Sequence, residues 1–250
     1  MPSRKINAYL VTGGRFHDMD FARLEILKLL AERHHIRTKT GNDYRDVDGI
    51  AASDFLITYT CDLQPTPEET KKLRDYVAGG GRWFALHGTN SVLRILSDGS
   101  CSCPTDVAPE FFELLGTQFM AHPPIGPYRV EIADPNHPMT KGIEPFDTID
   151  ELYLSKPLAD FHVLMQTRFA GEAPGFVDAL HWTGDDPRPV LYSRKFGKGE
   201  VLYFTLGHCR GHYDLQPLAD FNPIIERCSW TQPIYYELLR RGISWAEGAG

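Results

Sequence analysis

The 250-residue sequence has no apolar run approaching the ~20 residues that a membrane-spanning helix needs. Its basic start, Met1-Pro-Ser-Arg-Lys5, leads directly into a strand-like run instead of the apolar stretch of a signal peptide. Neither export nor a membrane partner is expected, and the chain reads as cytoplasmic. Cysteine is scarce and odd in number, and Cys61, Cys101, Cys103, Cys209 and Cys228 contain no Cys-x-x-Cys pair. Such a set fits reduced thiols, not a disulfide framework. Cys101-Ser-Cys103 is spaced too tightly for the usual zinc pairing and lies in a Ser/Gly/Pro-rich stretch that reads as a loop. Clustered Lys and Arg are missing too. With 26 basic against 33 acidic side chains and a formal charge of −7, the chain lacks the footprint of a nucleic-acid binder. No Gly-x-Gly-x-x-Gly and no phosphate loop ending in Gly-Lys-Ser/Thr occurs, so neither NAD nor ATP is expected as a cofactor. His-Glu-x-x-His and Gly-x-Ser-x-Gly are absent as well.

What is present is an alternation of strand and helix. Ile6 to Thr12 is a strand-length apolar run closed by Gly13-Gly14, and Phe21 to Leu30 has the three-to-four residue spacing of an amphipathic helix. His35 to Thr40 and Asp54 to Thr60 read as strands. Thr66-Pro67-Glu68-Glu69 then supplies an N-cap followed by proline at the first helical position. That helix stops at Gly79-Gly80-Gly81, before the strand Arg82 to Leu86 and a short helix at His87-Gly88-Thr89-Asn90. This order predicts right-handed parallel crossovers, hence an α/β class with an open sheet covered on both faces. From Gly116 to about Arg194 the pattern changes. Tyr128 to Ala133, Phe161 to Thr167 and Pro189 to Ser193 read as strands between Pro- and Gly-rich connections, an antiparallel elaboration. A strand from Val201 to Leu206 and a helix from Ile234 to Trp245 close the chain, and residues 1–250 read as one domain.

In an open parallel sheet, ligands bind beyond the carboxyl ends of the strands. His17, His87 and His208 each follow a different predicted strand by a short step, so three imidazoles are expected at one edge. His122, stiffened by Pro123-Pro124, is a candidate fourth member, and Asp150-Glu151-Leu152-Tyr153 sets two carboxylates beside a tyrosine. Imidazole at such a place can act as base, acid or metal ligand. Cys61 and Cys209, each near one of these histidines, are candidate thiol nucleophiles, with inert burial the commoner fate. His34, His35, His137, His162 and His181 read as surface or packing residues.

Val11-Thr-Gly-Gly14 leading to His17-Asp18, the run Gly79-Gly-Gly-Arg-Trp-Phe-Ala-Leu-His-Gly88, Asp150-Glu-Leu-Tyr153, and Gly197-Lys-Gly-Glu-Val-Leu-Tyr-Phe-Thr-Leu-Gly-His208 occur in this order. Taken together they resemble the ThuA-like, trehalose-utilisation family of the class I glutamine amidotransferase-like superfamily, over nearly the whole chain. The resemblance implies a flavodoxin-like sheet in which His87 occupies the turn that carries the nucleophilic cysteine of true glutamine amidotransferases. Without that thiol no glutaminase activity is expected. It further implies carbohydrate catabolism on a small-molecule substrate. The expectation is metal-assisted acid–base chemistry, isomerisation or glycosidic-bond cleavage, on an oxidised 3-keto sugar or disaccharide. On that reading His87, His208 and Glu151 are catalytic. His17, His122 and His208 hold a divalent ion, zinc or another late first-row metal, with Glu151 as an additional ligand. Asp18, Asn90 and Tyr153 contact the sugar, and Trp83, Tyr213 and Trp182 are further candidates for stacking on it. The competing reading is a non-catalytic carbohydrate-binding or regulatory protein on the same scaffold, and analogy with amidotransferase-like folds adds a homodimer.

Overall fold

The computed structural model describes residues 4–184 and 186–248, so the first three residues of the basic start lie outside the described residues. Its first third alternates strand and helix: β1 (Ile6–Gly14), α1 (Met19–Ala31), β2 (Ile36–Gly41), α2 (Val47–Ala51), β3 (Phe55–Cys61), α3 (Pro67–Ala78) and β4 (Arg82–Leu86). The middle holds the short strands β5 (Arg94–Ile95) and β6 (Cys101–Ser102), then α4 (Pro109–Leu115), β7 (Thr117–Ala121), β8 (Gly126–Ile132), β9 (Phe146–Asp150) and β10 (Leu154–Pro157). β11 (His162–Arg168), the short β12 (Gly171–Glu172) and β13 (His181–Trp182), β14 (Pro187–Phe196), β15 (Gly199–Phe204) and α5 (Pro233–Ala246) complete it.

Nine strands form one sheet in the order β2-β1-β3-β4-β15-β14-β11-β8-β9. The pairs from β2 across to β15 are parallel, and those from β15 to β9 antiparallel. The fold is therefore α/β with a flavodoxin-like parallel half, and the elaboration seen in the sequence extends that same sheet. β3 is buried along its whole length, as a strand covered on both faces must be. On one face α1 and α5 bring Ile26, Leu29, Leu238 and Ile243 against Ile57, Phe84 and Leu202. On the other, α3 and α4 bring Leu73, Val77, Phe111 and Phe112 against Leu56, Trp83 and Val201.

The local signals act as expected at α3, where the Thr66 side chain accepts the Glu69 N–H and Glu69 accepts the Thr66 N–H. Among the elements that differ from the sequence reading, two are instructive. Cys101–Ser102 is a strand paired with Arg94–Ile95, not loop, because two residues are too few to show a period. β7 pairs antiparallel with β10 outside the main sheet, and its run Thr117–Ala121 is buried at every position, so it lacks the alternation that would mark it.

Candidate metal and acid–base site

In the order β2-β1-β3-β4-β15 the winding reverses between β1 and β3, the point where such sheets bind ligands. His17 follows β1 there, His87 follows β4 immediately, and His208 follows β15. His87 opens a short 3-10 turn, His87–Asn90, with φ of 45°. Residues other than glycine uncommonly adopt that left-handed conformation, and it marks a tight elbow held by its surroundings. The Tyr203 hydroxyl clamps it, donating to the His87 carbonyl at 2.5 Å and accepting the Asn90 N–H at 2.8 Å.

His208 is presented by Gly207, whose φ of 125° suits glycine alone. The buried carboxylate of Asp150 pins this turn, accepting N–H groups from Gly207 at 3.0 Å, His208 at 3.1 Å and Ser229 at 3.3 Å, together with the Ser229 hydroxyl. Burial raises the Asp150 carboxyl above its ordinary pKa, opposed by nearby His87 and His208 and by the backbone donors. Glu151, next in the chain, is turned to the histidines.

The four side chains meet closely. His17 Nε2 lies 2.8 Å from His87 Nε2 and 3.2 Å from His208 Nδ1. Glu151 reaches His208 Nδ1 at 3.0 Å, His87 Nε2 at 3.5 Å and His17 Nε2 at 3.8 Å. All four residues are at most 5% exposed. One donor atom from each of them lies within 4.8 Å of every other, the one such metal-competent group among the described residues.

The outer ring atoms decide which nitrogens face inward with lone pairs. His87 Nδ1 donates to the Thr205 carbonyl at 2.7 Å, and His208 Nε2 faces Glu226 Oε2 at 2.9 Å. His17 Nδ1 faces the Arg15 carbonyl at 3.5 Å. Each outer nitrogen thus carries the proton, leaving the inner nitrogens of the neutral rings as acceptors aimed at one another. Facing lone pairs at this spacing need a proton or a cation between them. In the protein alone the proton goes to His208. Burial by itself would lower its pKa, but Glu151 and Glu226 overcome this and raise it to about 9. Burial, with His87 and His208 nearby, lowers His17 to about 3 against the pull of Glu151. Burial would raise the Glu151 carboxyl, yet His122, His208 and His17 hold it well below the ordinary range. Ring nitrogens whose outer atoms face a carbonyl or carboxylate, plus a carboxylate, are a donor set suited to a divalent late first-row ion. Tetrahedral zinc would space its nitrogen donors about 3.3 Å apart, which these atoms already approach.

A cavity of about 80 Å³ opens beside this group, with His17, Glu151, His122, Tyr153 and Arg210 among its polar lining and Phe16, Phe119, Phe176, Leu215 and Leu218 among the apolar. His122 stands at the open side, its side chain 25% exposed, with Nε2 3.5 Å from Glu151. Its Nδ1 donates to the Pro123 carbonyl at 2.7 Å, so Nε2 is the basic nitrogen. The Tyr153 hydroxyl lies 3.2 Å from His87 Nε2, and burial keeps it protonated. Arg210 pairs with Glu226 at 2.8 Å and approaches Glu151 at 3.5 Å.

The structure thus gathers His17, His87, His208, Glu151 and Tyr153, and brings His122 to the rim. Two expected sugar contacts fall elsewhere. Asp18 caps α1 by accepting the Phe21 N–H and pairs with Arg227 at 2.8 Å, which leaves its carboxylate committed. Asn90 is completely buried behind the elbow, donating to Thr117 at 2.8 Å, so no ligand in the cavity touches it. Trp83 is core, donating to Thr58 at 2.9 Å, while Trp182 lies under the Arg188 guanidinium and Tyr213 stands 70% exposed. The thiols of Cys61 and Cys209 are unsuited to attack. Burial drives Cys61 well above the ordinary thiol range and Cys209 up to about 12, so both stay protonated. Arg210 and Glu226 escaped the sequence reading. Arg210 stands two residues after His208, a signal that was available, whereas Glu226 lies far along an irregular segment with no local pattern.

The sequence profile of the ThuA family, described as trehalose utilisation, matches residues 8–221. Among solved structures, a ThuA-like protein from Bacteroides uniformis superposes with a TM-score of 0.69 at 16% identity, covering 98% of this chain and 93% of that one. A ThuA-like protein from Parabacteroides merdae gives 0.64 at 15% identity, covering 98% and 91%. The β-galactosidase of Bacillus circulans gives 0.54 at 11% identity, covering 98% of this chain but 31% of its own length. At these identities the likeness is one of fold. Among curated proteins, none matches this sequence.

Proposed function

This chain belongs to the ThuA, trehalose utilisation, family, which gives it a carbohydrate setting, and from that premise we propose that it is a metal-dependent enzyme of oxidised sugars. The reaction is acid–base chemistry on a 3-keto sugar, isomerising it or cleaving its glycosidic bond. The observation that carries this reading is the convergence of three buried imidazoles on Glu151, with the outer N–H groups of His87 and His208 already fixed. Such fixing of ring orientation and tautomer serves a ligand better than an acid, because a shuttling proton would have to leave a satisfied partner.

His17, His87, His208 and Glu151 would hold the ion. When bound, zinc or another late first-row metal supplies Lewis-acid polarisation of a substrate oxygen. A ketone at C3 acidifies the hydrogen at C2. His122, whose Nε2 stands at the cavity, is placed to take that proton. The electron pair moves toward the ketone oxygen, and Arg210 and the Tyr153 hydroxyl are the fixed donors available to developing negative charge. Return of the proton at a neighbouring carbon isomerises the sugar, and loss of the C1 oxygen cleaves it. This exchanges two roles expected from the sequence: His87 joins the ligands, and His122 becomes the base. Glutamine hydrolysis has no support, since the elbow carries His87.

Elemental analysis of the purified protein, combined with turnover of 3-keto disaccharides and simple 3-keto glycosides with and without chelator, tests the reading. The expected result is about one ion per chain and chelator-sensitive turnover. His122→Asn should lower kcat by ~100-fold or more while the ion is retained. A protein that binds no divalent ion and is inactive on every keto sugar would overturn the proposal.

A further inference from the structure

We propose that the substrate is a glycoside with an aromatic or otherwise apolar leaving group, not one sugar joined to another, an inference that rests on the acid–base reading above. The cavity measures about 80 Å³, whereas a cavity that encloses a single benzene is roughly 150 Å³. It admits the reacting edge of one ring. The group across the scissile bond therefore lies at the mouth.

That mouth is apolar. Leu215 and Leu218, the latter 39% exposed, line the cavity, and the segment that carries them continues with Phe221, Ile224 and Ile225, each more than half exposed. Phe221 is held open to solvent by stacking on His212 at 5.0 Å and by an edge contact with Tyr213 at 5.8 Å. The segment is closed at its base by reciprocal backbone bonds, Arg210 N–H to the Glu226 carbonyl at 3.0 Å and Glu226 N–H to the Arg210 carbonyl at 2.9 Å. It is thus tied beside the cavity.

Polar groups are few by contrast. With His17 and Glu151 turned onto the ligand cluster, His122, Tyr153, Arg210 and Ser91 are the polar side chains left on the lining, apart from two thiols. They suffice for one sugar ring. A second sugar would set its hydroxyls against leucines, and each desolvated hydroxyl without a partner is costly.

The bond-breaking step points the same way. When the C2 proton goes to the base, the C2–H electron pair forms the C1=C2 bond, the C1–O bond breaks, and the departing oxygen keeps the pair of the C1–O bond. Leu215 and Leu218 offer the departing oxygen no proton, and the one that His122 has taken must cross from C2 to the leaving group. An aryl oxide, with the acidity of a tyrosine phenol, pKa about 10, departs as the anion and takes a proton from water. A sugar alkoxide is a far poorer leaving group.

The test has two arms with the metal-loaded protein. Turnover is compared for 4-nitrophenyl 3-keto-glucoside, methyl 3-keto-glucoside and 3-keto-trehalose, and calorimetric binding for phenyl glucoside, methyl glucoside and trehalose. Aryl compounds should be preferred about tenfold or more in both arms, and Leu218→Ser should lower the aryl-to-trehalose ratio by about tenfold. Equal or better use of 3-keto-trehalose, or tighter binding of trehalose than of phenyl glucoside, overturns the inference while leaving the acid–base reading intact. Selective aryl binding without turnover of any keto sugar upholds the apolar subsite and sinks the reaction instead.

Discussion

The two halves of the sheet each bring histidine to a carboxylate, with opposite results. At the carboxyl ends of the parallel strands, His17, His87 and His208 surround Glu151, each at most 5% exposed. On the antiparallel half, His162 Nε2 meets Asp134 Oδ2 at 2.8 Å with its side chain 59% exposed, and His137 stands a further ring away at 6.5 Å between centroids. Parallel strands all release their chains at the same edge, so their following loops crowd together. Antiparallel neighbours alternate, which spreads their loops over two edges. Crowding excludes water, and exclusion of water turns a contact between a ring and a carboxylate into a site where charge, tautomer and orientation are all fixed. The exposed pair has none of these constraints.

Removing the support beneath the buried group gives the largest expected effect. Asp150→Ala leaves several buried donors without an acceptor and should cost at least ~3 kcal/mol in urea unfolding, releasing His208 as well. Unfolding at the wild-type midpoint would show that Asp150 pins nothing. Glu151→Gln should weaken zinc binding by more than about 100-fold in a chelator competition, because loss of an outer partner alone costs ~10–100-fold. Glu226→Gln, which keeps the shape but weakens the anchor on His208 Nε2, should fall within that smaller range, with little change in melting temperature. Wild-type zinc affinity in Glu226→Gln would mean that the carboxylate only closes the loop.

Proton linkage sharpens the same contrast in chelator-treated protein. His208, raised to about 9, contributes stability that is complete below its ordinary pKa of 6.5 and is lost as pH rises through 9. His17, lowered to about 3, acts oppositely. The unfolded chain takes up a proton that the folded chain refuses, so stability falls as pH drops below 6.5 toward 3. The melting temperature should therefore peak near neutrality and decline on both sides, and a profile flat from about pH 5 to 9 would dissolve this picture. The smallest effect belongs to the exposed pair: His162→Asn should change neither melting temperature nor zinc content measurably.

Much of this was readable beforehand. Apolar runs ending in Gly13-Gly14, Leu86 and Leu206 marked strands, and the position of His17, His87 and His208 just beyond them marked a shared edge. Asp150 and Glu151 were visible as a pair, but not their division of labour. The backbone turn at that point, not residue type, sends Asp150 to the Gly207 and His208 amides and Glu151 to the imidazoles. The roles proposed for His87 and His122 were equally hidden, because a ligand and a base differ in burial and in hydrogen bonding at the outer nitrogen. Glu226 carried no signal, since the irregular stretch between it and Arg210 has no period to read.

The amino-acid order by itself determined the parallel crossovers, the edge at which three imidazoles emerge and the presence of His87 at the elbow, because these depend on local patterning and residue identity. Only the tertiary structure decided which ring nitrogens face inward, which histidine stays in contact with solvent and which leucines border the cavity. Those outcomes depend on hydrogen-bond partners and burial contributed by segments far apart in the chain.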